Sequence, residues 1–283
     1  MRVLITGAGG QFGRDLQAAL AGHDLRPLAH SELDITDSGA VAAAVESFRP
    51  NVVVHTAALT DTTRCEREPA AAHAINALGA QHVAVACARA GAAMAFVSTN
   101  EVFNGTKHEP YAESDEPAPI NAYGRSKLAG ERLIQEALPQ HYVVRTAWLY
   151  GRGANHFVLK VLKAAENGEV VGVTDEIATP TWTRDLAAAI ARLIETERYG
   201  VYHLTNAGEA SRYDWAAEVL RLSGSNVPLR AITTAGFRAS LPPGAVSPRK
   251  PTYSVLRNIE AAALGIALRP WRDALAEFLT SER

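Results

Sequence analysis

The sequence predicts an α/β fold, a doubly wound parallel sheet followed by a smaller carboxyl-terminal lobe. Three observations predict it: short apolar runs alternate with helical stretches over the first 150 residues, a glycine-rich turn follows the first run, and the alternation loosens after Gly151. Strands that alternate with helices form parallel sheets with helices on both faces. Such sheets bind ligands beyond the carboxyl ends of their strands.

Five short runs are predicted strands, because a short, mostly apolar run bounded by turn residues is typical of a strand buried in a parallel sheet. They cover residues 3–6, 24–28, 51–55, 94–98 and 142–146. Apolar residues at helical spacing predict helices over 11–21, 38–48, 70–90 and 121–138. Ser38 is the predicted cap of the second of these helices.

The second half of the chain has shorter predicted elements. Helices are predicted over 155–167, 185–197, 213–222, 255–264 and 270–279, and strands over 170–173 and 201–204. We predict that residues 1–150, with late sheet elements from about 176–206, form the larger domain. Residues 151–175 and 207–283, which include a Pro/Gly-rich segment over 241–251, then form mainly the smaller lobe.

Composition and charge exclude several classes of protein. Of the 283 residues, 47% are hydrophobic and 20% are charged, which is typical of a water-soluble globular protein. A net charge of −2 provides no long-range attraction for nucleic acid or an anionic membrane. The amino terminus lacks the pattern of a signal peptide, and Cys65 and Cys87 are predicted free thiols. We expect a cytoplasmic protein, monomer or homodimer, without nucleic-acid or membrane partners.

The turn after the first strand, Gly-Ala-Gly-Gly-Gln-Phe-Gly at 7–13, also opens the first helix. Its glycines permit a tight turn, close approach of a pyrophosphate and close packing of helix on strand. The exposed amides of the helix terminus favour phosphate charge. The alternative is an ordinary glycine-rich turn. We predict a dinucleotide-binding domain over 1–150, with cofactor contacts from Gly7, Gly10, Gln11, Phe12 and Gly13.

The end of the second strand bears on the choice of cofactor. A carboxylate there would bind the ribose 2′-hydroxyl of NAD, and a basic residue would bind the 2′-phosphate of NADP. The segment reads Leu-Ala-His-Ser at 28–31, and Glu32 lies late. This favours NADPH, with NADH as the alternative. His30 is either a phosphate contact or a solvated loop residue, and Asp34 and Ile35 are expected to bracket the adenine.

Tyr123 and Lys127 lie four residues apart, on one face of a predicted helix. A phenol with its ordinary pKa near 10 is a poor acid–base catalyst at neutral pH. A neighbouring ammonium favours the phenolate and lowers that pKa, and it can also hold a cofactor ribose. This spacing alone is a chance motif of many helices. Together with the glycine turn and Thr99, at the end of the fourth strand, it predicts a catalytic centre.

These strings resemble the extended short-chain dehydrogenases that act on nucleotide sugars, and most closely the dTDP-4-dehydrorhamnose reductase family. The likeness covers almost the whole chain. It includes the GxxGxxG spacing of the glycine turn, Asn-Ala-Leu-Gly at 76–79, Tyr-Gly-Arg-Ser-Lys at 123–127 and Arg-Thr-Ala-Trp-Leu-Tyr-Gly at 145–151.

The resemblance implies a Rossmann domain with a smaller carboxyl-terminal lobe and the sugar nucleotide bound between them. It implies that NADPH or NADH reduces the C4 ketone of a 4-keto-6-deoxyhexose nucleotide. In that reaction Tyr123 protonates the developing alkoxide, Lys127 tunes Tyr123, and Thr99 hydrogen-bonds the oxygen. Ala57 and Ala58 are the further cofactor contacts expected from it.

The resemblance also indicates residues of the substrate site. Trp148 corresponds to a residue that packs against the sugar, although a core tryptophan at a strand end is the alternative. Arg249 and Lys250, in the Pro-rich segment, are candidates for the diphosphate, although a pair of charges in a loop is often simply solvated. Further expected substrate contacts are Thr60, Thr62, Asn100 and Asn155.

The chain departs from the family pattern around the expected sugar. After Thr99 the family shows Asp-Tyr, whereas this chain has Asn100 and Glu101. After Ala58 the family shows Tyr-Thr and an apolar residue two positions on, whereas this chain reads Leu-Thr-Asp-Thr at 59–62. We hypothesise that the chemistry is retained and the sugar differs. Glu101 would accept hydrogen bonds from extra hydroxyls or pair with an amino group.

Two other functions stay open at this point. One is a reductase or epimerase-like enzyme acting on a different nucleotide sugar. The other is a non-catalytic regulatory subunit that binds NADP, but such a subunit has no need of Thr99, Tyr123 and Lys127 together. Some relatives use Mg²⁺ in dimer contacts, yet no cluster of metal ligands stands out in this sequence, so no metal is predicted.

Overall fold

The computed structural model describes residues 1–153 and 156–281. Its strands are β1 (Arg2–Thr6), β2 (Asp24–Leu28), β3 (Val52–His55), β4 (Ala93–Thr99), β5 (His141–Thr146), β6 (Leu149–Tyr150), β7 (Val170–Val173), β8 (Ile177–Ala178), β9 (Thr181–Trp182), β10 (Gly200–His203), β11 (Ala210–Ser211) and β12 (Leu229–Ile232). Its first helices are α1 (Gln11–Ala19), α2 (Ser38–Phe48), α3 (Thr62–Arg67), α4 (Pro69–His73), α5 (Gly79–Ala90) and α6 (Ala122–Ala137). The later ones are α7 (Phe157–Glu166), α8 (Thr183–Leu193), α9 (Arg212–Ser223), α10 (Thr234–Ala239), α11 (Ile259–Ala263) and α12 (Trp271–Ser281).

Six parallel strands form the central sheet, in the order β10-β5-β4-β3-β1-β2. This confirms the predicted fold class. The chain places β2 on one side of β1 and then crosses to the other side to form β3. The strand order therefore reverses at β1, and a crevice opens between the carboxyl ends of β1 and β3.

Strand β1 shows how the sheet holds its two helical layers. Val3 and Ile5 point to the face that is covered by α1 and α8, whereas Leu4 points to the face covered by α2, α5 and α6. All three side chains are fully buried, as expected for a central parallel strand whose side chains alternate between two covered faces.

The smaller lobe is built from α7, α9, α12 and three two-stranded sheets, which pair β7 with β12, β8 with β11, and β6 with β9. Three tryptophans, Trp182, Trp215 and Trp271, are almost completely buried in or beside its core. The chain after α10 returns to the larger domain, where the amide of Tyr111 donates to the carbonyl of Val255 at 2.8 Å. This return places the segment 249–254 beside the end of β4.

Several predicted elements differ in detail. The cap of α2 is Asp37, whose carboxylate accepts from the Ala40 amide, and not Ser38. The predicted helix over 70–90 is α4 and α5 joined by a π-helical turn, Ala74–Leu78. The predicted helix over 255–264 shrinks to α11. The sequence did not predict α3, α10 or β12, because these short elements are mostly polar or half-exposed and lack apolar periodicity.

Within the described ranges, no helix has both the length and the apolar character that crossing a membrane would require. Nor do three or more His, Cys, Asp or Glu side chains of these ranges form a group that could hold a metal ion. Cys65 and Cys87 are buried free thiols.

Candidate active site

A cavity of about 1580 Å³ extends from the carboxyl ends of the central strands to the smaller lobe. The predicted cofactor residues that line it are Gly7, Gly10, Gln11, Phe12, Gly13, His30, Asp34, Ile35, Ala57, Ala58, Tyr123 and Lys127. The predicted substrate and catalytic residues that line it are Thr60, Thr62, Thr99, Asn100, Glu101 and Trp148. Arg249 instead lines a separate recess of about 320 Å³, and Asn155 lies outside the described residues.

The glycine turn forms a cradle of backbone at the crevice. Gly7 has φ +72°, and a Cβ atom added to it would lie 2.6 Å from the amide nitrogen of Ala57. A Cβ atom on Gly13 would lie 2.6 Å from the carbonyl oxygen of Gly7. Gly10 caps α1 without a side-chain hydrogen bond. The first amides of α1 are therefore left for a ligand, and this close-packed, positively polarised turn fits a pyrophosphate.

Residues 29–31, which follow β2, have no carboxylate that could bind a cofactor ribose. Ala29, His30 and Ser31 line the cavity, whereas the Glu32 carboxylate accepts a hydrogen bond from the Ala29 amide at 2.8 Å. Asp34, further along, accepts from the amide and the hydroxyl of Thr36, and these bonds lower its pKa. Because Glu32 is engaged by the backbone, this end of the cavity suits a cofactor that carries a 2′-phosphate.

Helix α6 positions the two residues of the predicted catalytic pair, Tyr123 and Lys127. Asn121 caps it, with its side-chain oxygen accepting from the Gly124 amide at 2.7 Å. Tyr123 is half-buried in the first turn. Lys127, one turn later, is 2% exposed, and its Nζ lies 3.8 Å from the centroid of the Phe96 ring. The capped first turn therefore directs the phenol and the ammonium into the same cavity.

The pKa values of this pair shift in opposite directions. Burial, together with the Glu101 carboxylate, raises the pKa of Tyr123, while a hydrogen bond with Thr99 partly opposes the rise. Burial lowers the pKa of Lys127 to about 7, with Glu131 opposing the shift. We expected Lys127 to lower the pKa of Tyr123, but burial and Glu101 raise it. The phenol is therefore held protonated, which is the form that a proton donor requires.

A buried network that the sequence analysis did not identify lies behind the pair. The Ser98 hydroxyl donates to one oxygen of Glu131, and Arg145 donates to the other oxygen at 2.7 Å. These three residues are at most 4% exposed and join β4, β5 and α6. Part of the signal was present, because one string used for the resemblance, 145–151, begins with Arg145. No local rule assigned them partners, which lie 14 and 33 residues apart.

The Glu101 carboxylate is already hydrogen-bonded to the chain. One oxygen accepts from Lys250 Nζ at 3.1 Å, and the other accepts from the Asn121 side-chain amide at 2.7 Å. We expected Glu101 to accept from sugar hydroxyls or to pair with an amino group, and each of its oxygens already has a partner within the chain. Lys250, and not the neighbouring Arg249, contributes a basic side chain to the main cavity.

Trp148 forms the centre of an aromatic wall on the opposite side of the cavity. Its φ of 44° lies in the left-handed region, which is a strained backbone conformation for a bulky residue. The Arg212 guanidinium lies 3.6 Å from the centroid of the Trp148 ring and donates from Nε to Glu176 at 3.2 Å. Trp215 stacks with Trp148 at 5.6 Å between centroids. Sequence analysis missed Arg212 and Glu176.

The parallel sheet, the glycine turn and the cavity between sheet and smaller lobe are typical of an extended short-chain dehydrogenase. The chain belongs to the dTDP-4-dehydrorhamnose reductase family: the family described as "RmlD substrate binding domain" matches residues 1–283.

Known proteins resemble this chain over nearly its whole length. The dTDP-4-dehydrorhamnose reductase of Streptomyces griseus is 42% identical over 286 residues, covering 98% of this chain and 92% of that protein. The spore coat polysaccharide biosynthesis protein SpsK of Bacillus subtilis (strain 168) is 38% identical over 281 residues, covering 98% and 96%. The dTDP-4-dehydrorhamnose reductase of Bacillus anthracis strain Ames, solved in complex with NADP, is 37% identical, with a TM-score of 0.93 and 99% of each chain covered.

Proposed function

We propose that this protein is an NADPH-dependent oxidoreductase that reduces the C4 ketone of a nucleotide-activated 4-keto-6-deoxy sugar. One observation carries the proposal: a single cavity is lined by the glycine turn, by Thr99, Tyr123 and Lys127, and by the Trp148 wall of the smaller lobe. The names of the similar reductases support the same reaction.

The cofactor assignment rests on the fit of the strand ends. The backbone cradle at Gly7 suits a pyrophosphate, and the engaged Glu32 favours NADPH over NADH. A similar reductase binds NADP, which supports this choice. When bound, the reduced nicotinamide supplies the hydride that the ketone accepts. His30 is the proposed contact for the 2′-phosphate, because it lines the cavity at the end of β2.

The chain's own residues supply the proton and the geometry. Tyr123 donates the proton of its Oη to the C4 oxygen, and the Thr99 hydroxyl hydrogen-bonds that oxygen and orients it. Lys127 holds the cofactor ribose, and in its protonated form it stabilises the phenolate that proton transfer leaves behind. The raised pKa of Tyr123 keeps the phenol protonated until negative charge develops on the C4 oxygen.

The sugar and the nucleotide occupy the side of the cavity that belongs to the smaller lobe. The sugar packs on Trp148, and Thr60, Thr62 and Asn100 line the cavity opposite it. At the more exposed end, Phe237 offers an aromatic face to the base, and Lys160 and Arg238 offer cations to the diphosphate. These two cations replace Arg249 in our assignment, because Arg249 lines a different recess.

The test is turnover. Purified protein is mixed with dTDP-4-keto-6-deoxy-L-mannose, and NADPH oxidation is followed by absorbance, with NADH in parallel. We expect oxidation that depends on the sugar nucleotide and is faster with NADPH. The 4-keto-6-deoxy-D-glucose nucleotide serves as the comparison substrate. If neither sugar nucleotide supports oxidation of either cofactor, the proposed reaction is wrong.

A further inference from the structure

The ion pair between Glu101 and Lys250 joins parts of the chain that are 149 residues apart, and both side chains line the main cavity. Glu101 is 8% exposed, and the Lys250 side chain is 29% exposed. The carboxylate is therefore largely withdrawn from the cavity, while the ammonium retains more of its surface. A ligand in the cavity meets Lys250 more readily than it meets Glu101.

Glu101 connects the Lys250 ammonium to the end of β4 and to α6, which carry the predicted catalytic residues. Its backbone amide donates to the Thr99 hydroxyl at 3.2 Å, and its carboxylate accepts from Asn121, the fully buried cap of the helix that carries Tyr123. Lys250 is therefore linked to Thr99 through Glu101, and to the helix that carries Tyr123 through Glu101 and Asn121. Its neighbour Arg249 fixes the same loop, because the Arg249 carbonyl accepts from Asn121 at 2.8 Å.

The charges of Glu101 and Lys250 favour some ligand groups over others. An ammonium carries three N–H groups, and within residues 1–153 and 156–281 its side-chain ion pair is with Glu101, which takes one of them. The other N–H groups suit a neutral acceptor such as a hydroxyl oxygen. A diphosphate would meet the negative Glu101 3.1 Å from the ammonium, and a protonated amine would meet the ammonium itself. Like charges at such distances are unfavourable in both cases.

We propose that Lys250, oriented by Glu101, is a specificity-determining residue that donates a hydrogen bond to the sugar hydroxyl at C3, beside the reacting ketone, and that excludes an amino substituent there. This inference rests on the proposed reduction of a nucleotide 4-keto sugar. It differs from the hypothesis drawn from the sequence, in which the Glu101 carboxylate itself would accept from sugar hydroxyls or pair with an amino group.

The experiment compares three dTDP-4-keto-6-deoxy sugars that carry a hydroxyl, a hydrogen or an amino group at C3. We expect wild type to prefer the hydroxyl sugar by about tenfold or more in kcat/KM over each of the others, since hydrogen bonds to charged groups are worth that much. Lys250→Met should reduce this preference to about threefold or less, mainly by raising KM for the hydroxyl sugar. Lys163→Met, an exposed lysine outside the cavity, is the matched control and should behave as wild type.

Two further measurements test whether the effect of Lys250→Met comes from the sugar contact. Because Lys250→Met leaves the buried Glu101 carboxylate without its cation, the double variant Glu101→Gln/Lys250→Met is measured as well, and it should show the same loss of preference. Inhibition by dTDP alone should change less than about twofold in either variant. If dTDP inhibition weakens as much as KM rises, Lys250 binds the diphosphate and the inference is overturned. Equal use of all three sugars by wild type also overturns it, whereas no turnover of any sugar contradicts the proposed function instead.

Discussion

The two ends of the cavity recognise their ligands in different ways. The cofactor end is made of backbone and small residues from one continuous turn, 7–13, together with Ala57 across the crevice. The substrate end is made of charged and aromatic side chains that are brought together from far apart, as in Glu101 with Lys250 and Glu176 with Arg212. Contacts from the backbone suit a cofactor that many enzymes share, because they do not depend on particular side chains. Pairs of side chains can change one substitution at a time, so this end is where the choice of sugar can vary.

The largest effect is expected at Tyr123, where the two ends meet. Tyr123→Phe removes the proton donor while it retains the ring, so turnover should fall by about 10²–10⁴-fold. The affinity for NADPH, measured by fluorescence titration, should change less than about twofold, because the cradle at Gly7 is untouched. An unchanged rate of NADPH oxidation would remove Tyr123 from the mechanism.

At the cofactor end, a side chain added to the glycine turn should weaken NADPH binding. Gly7→Ala places a Cβ atom 2.6 Å from the Ala57 amide nitrogen at φ +72°, so NADPH affinity should weaken by about tenfold or more. Gly91→Ala is the matched control, since Gly91 has φ +67° and no atom within 4 Å of the added Cβ. It should lose only about 1 kcal/mol of stability and bind NADPH normally. Equal losses of affinity in both variants would show that strain alone is responsible.

At the substrate end, removal of a side-chain pair should raise KM for the sugar nucleotide. Arg212→Met leaves Glu176 unpaired and removes the cation from the Trp148 ring, so KM for the sugar nucleotide should rise by about three- to tenfold. NADPH affinity should stay the same. Arg221→Met on the same helix removes an exposed pair with Glu218 and should change neither constant. A change in NADPH affinity in Arg212→Met would show that the two ends are not independent.

The last prediction concerns stability and its dependence on pH. Unfolded Lys127 has a pKa of 10.5, and burial lowers it to about 7 in the folded protein. Between these values the unfolded state binds the proton that the folded state has released, so stability rises with pH by up to about 1.4 kcal/mol per unit. Lys127→Met should lose this contribution. Urea unfolding at pH 7.5 and 9.5 measures it, and an identical pH dependence in wild type and variant would contradict the lowered pKa.

The same contrast explains what the sequence could predict. The six-stranded sheet, the glycine cradle and the positions of Thr99, Tyr123 and Lys127 follow from local spacing and from the rule that parallel strands end at one edge. The partner of Glu101 could not be predicted, because Lys250 lies 149 residues away and is brought to the site by the return of the chain after α10. The pKa of Tyr123 was expected in the wrong direction for the same reason. Burial and Glu101 are tertiary effects, whereas Lys127 is a helical neighbour.

In the proposed reaction, hydride passes from the cofactor to C4 of a nucleotide sugar in this cavity. The most direct test uses NADPH that carries deuterium at both positions of C4 of the nicotinamide ring, with dTDP-4-keto-6-deoxy-L-mannose as substrate and NMR analysis of the product. We predict one deuterium at C4 of the sugar for each NADPH oxidised, and none in the Tyr123→Phe reaction beyond its residual turnover. Formation of a C4 alcohol without deuterium at C4, or of an epimer without oxidation of NADPH, would contradict the account.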